Sequence, residues 1–239
     1  GAYATYVGQE IGQFYGWVYE GIARTQDELD GHATQQGANV GDCLYKDISG
    51  PEGTPDGVID AYDQTVLGSG LPKVNFGLST HMEYKGFDLN ISTYGVLNYH
   101  VSDDIYNSLN SCYGYGNKEV GMLDANRWSE DGTYLSSVPR TYAANNATLA
   151  WNDLFSSRKI QNAAYWKIAN VELGYNFPDK WFGGYVSGVR LYVSAQNLYT
   201  FTGYHGYNVD YAGGTFTPGY NFCSFPSART FMAGLHFTF

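Results

Sequence analysis

Long segments in which apolar and polar side chains alternate at every second residue are the feature that most constrains this chain. In the clearest segment, mainly apolar residues occupy the odd positions from Val189 to Phe201 and mainly polar residues occupy the even positions. A period of two indicates a β-strand whose two faces meet different surroundings. The sequence predicts six strands, of which the first is the weakest, over residues 11–19, 74–84, 87–93, 165–177, 189–202 and 230–239.

The alternation also predicts which face each side chain occupies. Over 165–177, strict alternation puts Tyr165 and Lys167 on the mainly apolar face with Leu173. It puts Trp166 on the opposite, mainly polar face. This assignment holds only if the strand is regular along its whole length.

The predicted strands are about 10 to 13 residues long, whereas strands of soluble proteins most often have about five or six. A strand tilted by about 45° crosses the hydrocarbon of a membrane with about 9 to 11 residues. Aromatic residues that suit interfacial girdles lie near the strand ends: Tyr15, Trp17, Tyr84, Tyr165, Trp166, Tyr199 and Tyr204. The pattern therefore favours a transmembrane β-barrel, and a soluble β-sandwich, whose strands also alternate, stays open as the alternative.

Composition and charge exclude several other classes. The chain has 17% aromatic and 15% charged residues, which does not fit a disordered chain, and no stretch is long and apolar enough for a transmembrane helix. A formal charge of −10 argues against nucleic acid or anionic lipid headgroups as partners. Three widely spaced cysteines, Cys43, Cys112 and Cys223, form no disulfide or zinc pattern. No signal peptide is visible at the N-terminus.

The connections between the predicted strands differ in length, as in outer-membrane barrels with short turns on one side and long loops on the other. Two polar stretches rich in Gly, Asn, Asp and Ser, at about 21–71 and 102–157, are predicted to be long external loops. The smallest membrane barrels close with eight strands, and an open sheet edge in hydrocarbon is not viable. Six strands therefore imply either strands hidden in the loops or a chain that forms one part of a larger barrel.

Motifs along the chain resemble a known family. The most specific are Tyr84-Lys-Gly-Phe-Asp-Leu89 and Ser194-Ala-Gln-Asn-Leu198, and further matches occur in the same order over 7–22, 41–60, 67–78, 127–128, 166–178, 201–207 and 226–239. Together they resemble the C-terminal third of SusC/RagA-type TonB-dependent outer-membrane transporters.

The resemblance implies that residues 1–239 form the C-terminal portion of a 22-stranded antiparallel barrel in the outer membrane of a Gram-negative bacterium. It implies import of oligosaccharides or peptides with a SusD-like surface lipoprotein and with the TonB complex, whose binding segment lies outside this chain, as does the plug. The expected partners also include outer-membrane lipid and the barrel-assembly machinery, which would read an insertion signal formed by Phe231, Phe237 and Phe239. The alternatives are a soluble glycan-binding β-sandwich and a small self-closed outer-membrane barrel.

An acidic loop is the place where a cation site is most plausible. The family pattern there resembles a calcium loop, in which alternate oxygens wrap a hard cation around a glycine turn. Asp56, the Val58 carbonyl, Asp60 and Asp63 keep the second half of that spacing, and Asp47 and Ser49 would supply the first half. Six residues, 50–55, separate the halves where the pattern has one, so a possible calcium site and a solvated, turn-rich loop both stay open.

No catalytic motif occurs in the sequence, and the chain is not predicted to be an enzyme. The aromatic residues of two loop segments could stack on sugar rings, or they could pack loop against loop. The candidate ligand-binding residues are Tyr106, Tyr113, Tyr115, Tyr204, Tyr207 and Tyr211.

Overall fold

A computed structural model describes residues 2–111, 117, 120, 128, 138–141, 151–182, 186–210, 213–222 and 224–238. The short strands are β1 Tyr3–Ala4, β2 Gln13–Gly16, β3 Tyr19–Ile22, β4 Cys43–Tyr45, β5 Thr65–Ser69, β8 His100–Asp103, β9 Gln161–Asn162, β12 Gly213–Gly214, β13 Thr217–Pro218 and β14 Tyr220–Asn221. The long strands are β6 Val74–Tyr84, β7 Phe87–Leu97, β10 Tyr165–Phe177, β11 Gly188–Thr202 and β15 Thr230–Thr238. The helices are α1 Gln26–Asp30 and α2 Asp104–Leu109, with 3-10 turns at Ala61–Asp63, Ser157–Lys159 and Asp179–Trp181.

The chain divides into two compact units. The loop unit comprises Gly1–Leu71, His100–Gln161 and Tyr211–Cys223, and the sheet unit comprises Pro72–Tyr99, Asn162–Asp210 and Ser224–Phe239. No helix in the described part of the chain is long and apolar enough to cross a membrane.

The sheet unit is a single five-stranded sheet in the order β15-β11-β10-β7-β6, with every neighbouring pair antiparallel. Its strands have 9 to 15 residues. The sheet therefore confirms the predicted all-β, antiparallel class and the long strands on which the prediction rested.

A two-residue turn joins β6 to β7. Lys85 has φ +48° and Gly86 has φ +89°, so both central residues are left-handed, as a type I′ turn requires. This turn has the twist of the strands that it connects, and it sets the register in which Tyr84 faces Phe87.

The two faces of this sheet are chemically different. Cross-strand partners lie on the same face, so the register of the strand pairs continues the apolar face from β6 to β15. The exposed members of this apolar face include Phe76, Leu78, Met82, Leu173, Leu191, Val193, Phe231, Leu235 and Phe237. The opposite, polar face includes Ser79, His81, Asp88, Asn90, Lys167, Glu172, Arg190, Ser194 and His236.

A β-bulge in β10 makes the predicted faces of its first residues wrong. Ile168 pairs with Thr93 and Asn170 pairs with Ser92, so Ala169 is an extra residue relative to β7 and the phase reverses there. Trp166 consequently lies on the apolar face, where its ring stacks on Phe201 at 5.1 Å between ring centroids. Lys167 lies on the polar face, and this spares its ammonium group the cost of an apolar surface.

The weak strand predicted over 11–19 is not part of the large sheet. It is divided into β2, which pairs with β1 and β5, and β3, which pairs with β4. Gly12 has φ +68°, which ends regular extended backbone before β2, and the register of β2 shifts between Phe14 and Tyr15. Mixed glycine and aromatic residues on both faces gave this segment no clear phase.

A hydrophobic cluster that includes several aromatic residues forms a core in the loop unit. Cys43, Tyr45 and Ile59 are buried, and Trp17, Tyr19 and Trp151 pack against them. The Tyr45 ring lies between Trp17 and Trp151, at centroid distances of 6.5 and 6.2 Å. The stretches that the sequence predicted only as long loops therefore contain short strands, helices and a small core of their own.

Candidate functional site

A buried polar network connects distant segments of the loop unit. Arg140 donates from Nε to Asp42 Oδ1 at 2.6 Å and from Nη2 to Asp42 Oδ2 at 2.8 Å. Asn152 donates to the same carboxylate at 2.8 Å and accepts from the Cys43 backbone N–H at 2.7 Å. Asp42 has 1% of its side chain exposed and Arg140 has 26%, so the carboxylate of this bidentate pair is shielded from solvent and the guanidinium is partly exposed.

The buried phenol of Tyr45 lies beside this network and donates to the Trp151 carbonyl. Burial raises the pKa of the Tyr45 hydroxyl well above its usual range, and the neighbouring Cys43 acts in the same direction. The phenol therefore stays protonated in the folded unit.

A cavity of about 270 Å³ opens in the loop unit beside α2. Its wall comprises Tyr19 of β3, residues of α2 and its C-terminal end, Val138, and two bases of the turn Ser157–Lys159. Tyr106, one of the predicted ligand residues, lines this cavity, and so do Asn107, Asn110, Arg158 and Lys159. The sequence gave no sign of these last four residues, because they come from two segments about fifty residues apart.

Carboxylates of the acidic loop accept hydrogen bonds from backbone N–H groups of the same loop. Asp63 is fully buried and accepts backbone N–H groups from Ile48 at 2.8 Å, Ser49 at 3.1 Å and Asp60 at 2.8 Å. Asp47 accepts from the Gly57 N–H at 2.7 Å.

The other acceptors of the acidic loop act locally, because Asp56 accepts from the Val58 N–H at 3.0 Å and Asp60 from the Tyr62 N–H at 2.7 Å. Within the described ranges, no three or more His, Cys, Asp or Glu side chains are grouped so that they could hold a metal ion. The carboxylates are used to shape the loop, and calcium binding stays a prediction.

Two ionic clusters lie on the polar face of the sheet unit. Arg190 donates to Glu172 at 2.7 Å and from Nε to Asp88 at 3.0 Å, and Asn176 also donates to Asp88 at 3.0 Å. An ideal Cβ on Gly174 would lie 2.5 Å from both the Arg190 guanidinium and the Asp88 carboxylate, so glycine leaves room for this pair.

The second cluster holds the segment that follows β11. Lys167 donates to Asp210 Oδ2 at 2.5 Å, and Tyr94 donates to Asp210 Oδ1 at 3.3 Å. Within this segment Tyr204 is buried, with 6% exposure, whereas Tyr207 is 67% exposed. Of the two predicted ligand residues, only Tyr207 presents its ring to solvent.

The remaining predicted residues fall into two groups. Phe231 and Phe237 lie on the apolar face of β15, with 68% and 49% exposure. Tyr113, Tyr115, Tyr211 and Phe239 lie outside the described residues.

No family model matches the sequence. The chain is 31% identical over 241 residues to the TonB-dependent receptor P3 of Formosa agariphila, a match that covers 97% of this chain and 22% of that receptor. It is 27% identical over 186 residues to the TonB-dependent receptor SusC of Bacteroides thetaiotaomicron, covering 77% of this chain and 17% of SusC.

The fold is similar to that of solved structures of the RagAB peptide importer. In its closed-closed state the TM-score is 0.71 at 21% sequence identity, and the match covers 96% of this chain and 23% of that chain. In the open-open state the TM-score is also 0.71, at 22% identity. The chain spans about a fifth of the length of the curated relatives it matches, and it belongs to the TonB-dependent transporters of the SusC/RagA type.

Proposed function

We propose that this chain forms barrel wall and external vestibule of an outer-membrane transporter that imports oligosaccharides or peptides. The observation that carries the proposal is the five-stranded sheet, whose long strands have one exposed apolar face and one polar face with paired charges. A wall between lipid and an aqueous interior needs this division of faces. A soluble sandwich would instead cover its apolar face with a second sheet.

The loop unit is proposed to form the external vestibule, with residues 21–71 and 102–157 as its long loops. Its buried Asp42–Arg140 pair and its aromatic core give these loops a defined shape. A shaped vestibule supports ligand capture, because preformed sites lose less conformational entropy on binding. Tyr106 and Tyr207 are the described candidates for contact with the ligand.

The proposed partners follow from the family. SusC and RagA relatives support a SusD-like surface lipoprotein and energy transmitted through TonB, to a plug and a TonB-binding segment that are expected outside this chain. Outer-membrane lipid would cover the apolar face. The barrel-assembly machinery would read the last strand, with Phe231, Phe237 and the terminal Phe239 as the signal.

Uptake by cells tests this proposal. We expect a strain that lacks the gene for this chain to lose uptake of a labelled oligosaccharide or peptide pool, and a strain that lacks TonB to lose it equally. Uptake restored by the gene only when TonB is present would support the proposal. Unchanged uptake in both strains, or recovery of the chain as a monodisperse protein without detergent, would contradict it.

A further inference from the structure

Another cavity opens on the polar face of the sheet unit, where β11 ends. We call it the rim cavity and define it by Lys167, Thr200, Thr202, Tyr207, Asn208 and Asp210, and its volume is about 130 Å³. Thr200 is the cross-strand partner of Lys167, which places it on the polar face. This end of the sheet lies opposite the short turn at Lys85-Gly86, so in the proposed barrel the cavity faces the interior at the external end.

The charges in the wall of the rim cavity neutralise each other. Lys167, whose side chain is 4% exposed, donates from its ammonium to Asp210 Oδ2 at 2.5 Å, and Tyr94 donates to Asp210 Oδ1 at 3.3 Å. No other residue of the described lining carries a charge, so the wall has no unpaired counter-charge for an ionic ligand. Because a charge is costly to remove from water without a partner, this wall favours a neutral ligand.

Hydrogen bonds hold the chain segments around the rim cavity together. Asn208 donates from Nδ2 to the Phe225 carbonyl at 3.1 Å and accepts at Oδ1 from the Asp210 N–H at 3.0 Å. Asn197 of β11 donates from Nδ2 to the Ala228 carbonyl at 3.0 Å. The segments after β11 and before β15 are thus joined to each other and to β11. A site whose wall is already ordered loses less conformational entropy when a ligand binds.

Several hydroxyl groups of the wall are left for a ligand. Thr200, Tyr207 and Ser227 line the cavity, and their side-chain oxygens make no hydrogen bond within the described part of the chain. A hydroxyl both donates and accepts, and so does each hydroxyl of a sugar, so the two can pair in either direction. A peptide backbone instead has donors and acceptors at fixed places.

Tyr207 adds a flat aromatic surface to the wall. Its side chain is 67% exposed, whereas Tyr204 and Val209 of the same segment are buried. The Tyr204 N–H also donates to Thr202 Oγ1 at 3.1 Å. Buried residues therefore fix the backbone on both sides of Tyr207, and its ring can stack on the apolar face of a sugar ring.

We propose that the rim cavity binds a neutral sugar residue of the imported ligand, with Tyr207 stacked on its ring and Thr200 bonded to its hydroxyls. This inference rests on the proposed import function. Val209 is the one aliphatic residue of the described lining, whereas pockets for apolar groups are lined mainly by hydrophobic side chains. The volume lies below the roughly 300 Å³ at which pockets for drug-sized ligands begin, so the cavity suits one residue of a longer ligand.

Binding of simple glycosides to the intact, detergent-purified transporter tests the proposal. The methyl glycosides of glucose, galactose, mannose and xylose are neutral single sugars, and each is titrated by ligand-observed NMR. We expect at least one to bind with a Kd below about 10 mM, and Tyr207→Ala to weaken that binding about tenfold or more. Absence of binding by all of them, or binding that Tyr207→Ala leaves unchanged, would overturn the proposal.

Two variants separate the ring of Tyr207 from other effects. Tyr207→Phe keeps the ring and should bind the glycoside within about threefold of the wild-type affinity. Tyr62→Ala removes a ring that is 56% exposed in the loop unit and should leave binding unchanged. If Tyr62→Ala weakens binding as much as Tyr207→Ala, the rim cavity is not the site.

Two further ligands test the chemical class. Methyl glucuronide has a carboxylate where methyl glucoside has a hydroxymethyl group, and we expect it to bind no more tightly. Tighter binding of the glucuronide that about 500 mM NaCl removes would contradict a neutral ligand. Acetyl-trialanine amide is a neutral peptide, and displacement of the glycoside by an equal concentration of it would contradict the choice of a sugar.

If Tyr207→Ala does not reach the membrane, Thr200→Val tests the same site. The change removes one hydroxyl of the wall and should weaken binding of the glycoside about two- to tenfold. Thr80→Val makes the same change in β6, on the apolar face, and should leave binding unchanged. Equal affinities of these two variants would overturn the proposal.

Uptake separates this inference from the proposed function. If TonB-dependent uptake of a labelled pool is found while none of the glycosides binds, the cavity proposal fails and the import function stands. If no TonB-dependent uptake of any pool is found, the import function fails.

Discussion

At the scale of single residues, both units use arginine in the same way. Arg140 donates hydrogen bonds to Asp42 in the loop unit, and Arg190 donates hydrogen bonds to Asp88 in the sheet unit. Each arginine uses two guanidinium nitrogens. A planar guanidinium can satisfy both oxygens of a buried carboxylate at once, which a lysine cannot do. Arg140 and Arg190 therefore each neutralise a carboxylate that is almost fully buried.

Removing the Asp42 charge should destabilise the loop unit. Asp42→Asn leaves the partly exposed Arg140 guanidinium without its carboxylate, and loss of hydrogen bonds between charged groups costs about 1.5–3 kcal/mol. The change is measured as loss of protease resistance of the loops in the intact transporter over a urea series. Glu52→Gln, at an exposed position of the same unit, is the control. Equal resistance of the Asp42→Asn and Glu52→Gln variants would contradict the assigned role.

The Tyr45 phenol should make the loop unit sensitive to alkali. Its pKa is raised on folding, so its contribution to stability is complete below the pKa of about 10 in the unfolded chain and is lost as pH rises above it. We expect a loss of about 1.4 kcal/mol per pH unit above pH 10 that Tyr45→Phe abolishes.

The same protease assay, run from about pH 8 to about pH 11, measures this difference. Tyr62→Phe removes an exposed phenol and serves as the matched variant. If Tyr45→Phe and Tyr62→Phe show the same pH dependence, burial of the Tyr45 hydroxyl is not the cause.

At the scale of elements, the bulge in β10 decides which side chains face which surroundings. Ala169 is the residue without a partner in β7, so its deletion should restore regular pairing with β7 and keep the following residues on their faces, while residues 197 and 198 of β11 stay without a partner in β10. Deletion of Leu173, within the regular part of the strand, should turn the following residues to the opposite face.

We therefore expect the variant that lacks Ala169 to reach the membrane as a folded barrel. We expect the variant that lacks Leu173 not to fold into a barrel. The folded fraction is read from the electrophoretic shift between unheated and heated samples. Failure of both deletions, or success of both, would contradict the assigned phase of β10.

A charged substitution should destabilise the barrel when it lies on the apolar face and should have little effect on the polar face. Leu78 and Ser79 are neighbours in β6 that lie on opposite faces. Leu78→Arg should cost about 2–4 kcal/mol of barrel stability if its position lies near the middle of the bilayer, whereas Ser79→Arg should cost little. Urea unfolding in lipid vesicles measures both, and similar losses would contradict a lipid-facing apolar surface.

The elements divide into those that the sequence could predict and those that it could not. Strict alternation was sufficient for β6 and β7, because each keeps one phase along its length. It also gave the faces at both ends of β11, because the irregularity at residues 197 and 198 is two residues long and restores the phase. It was misleading for the first residues of β10, because strict alternation assumes that a strand has no bulge. Lys167 carried the only hint, since a charge among apolar positions signals a change of phase.

At the scale of the whole molecule, the fold could be predicted and the candidate site could not. Pattern and resemblance depend on residues close together in sequence, and they were sufficient for the antiparallel sheet and the family. The cavity beside α2 depends on α2 meeting a turn about fifty residues later, and Arg140 meets Asp42 across 98 positions. Nothing local in the sequence encodes such pairs. Of the described residues that line the cavity, the sequence therefore predicted only Tyr106 as a ligand residue.

The central claim is that the apolar face of the sheet meets lipid and the opposite face meets water. Spin labels placed at Leu78, Val193 and Leu235, and at Ser79, Ser194 and His236 on the other face, test it in reconstituted transporter whose native cysteines are replaced. We predict that the first three labels are relaxed mainly by oxygen and the second three mainly by a water-soluble nickel complex. Equal access of the nickel complex to both sets would contradict the account.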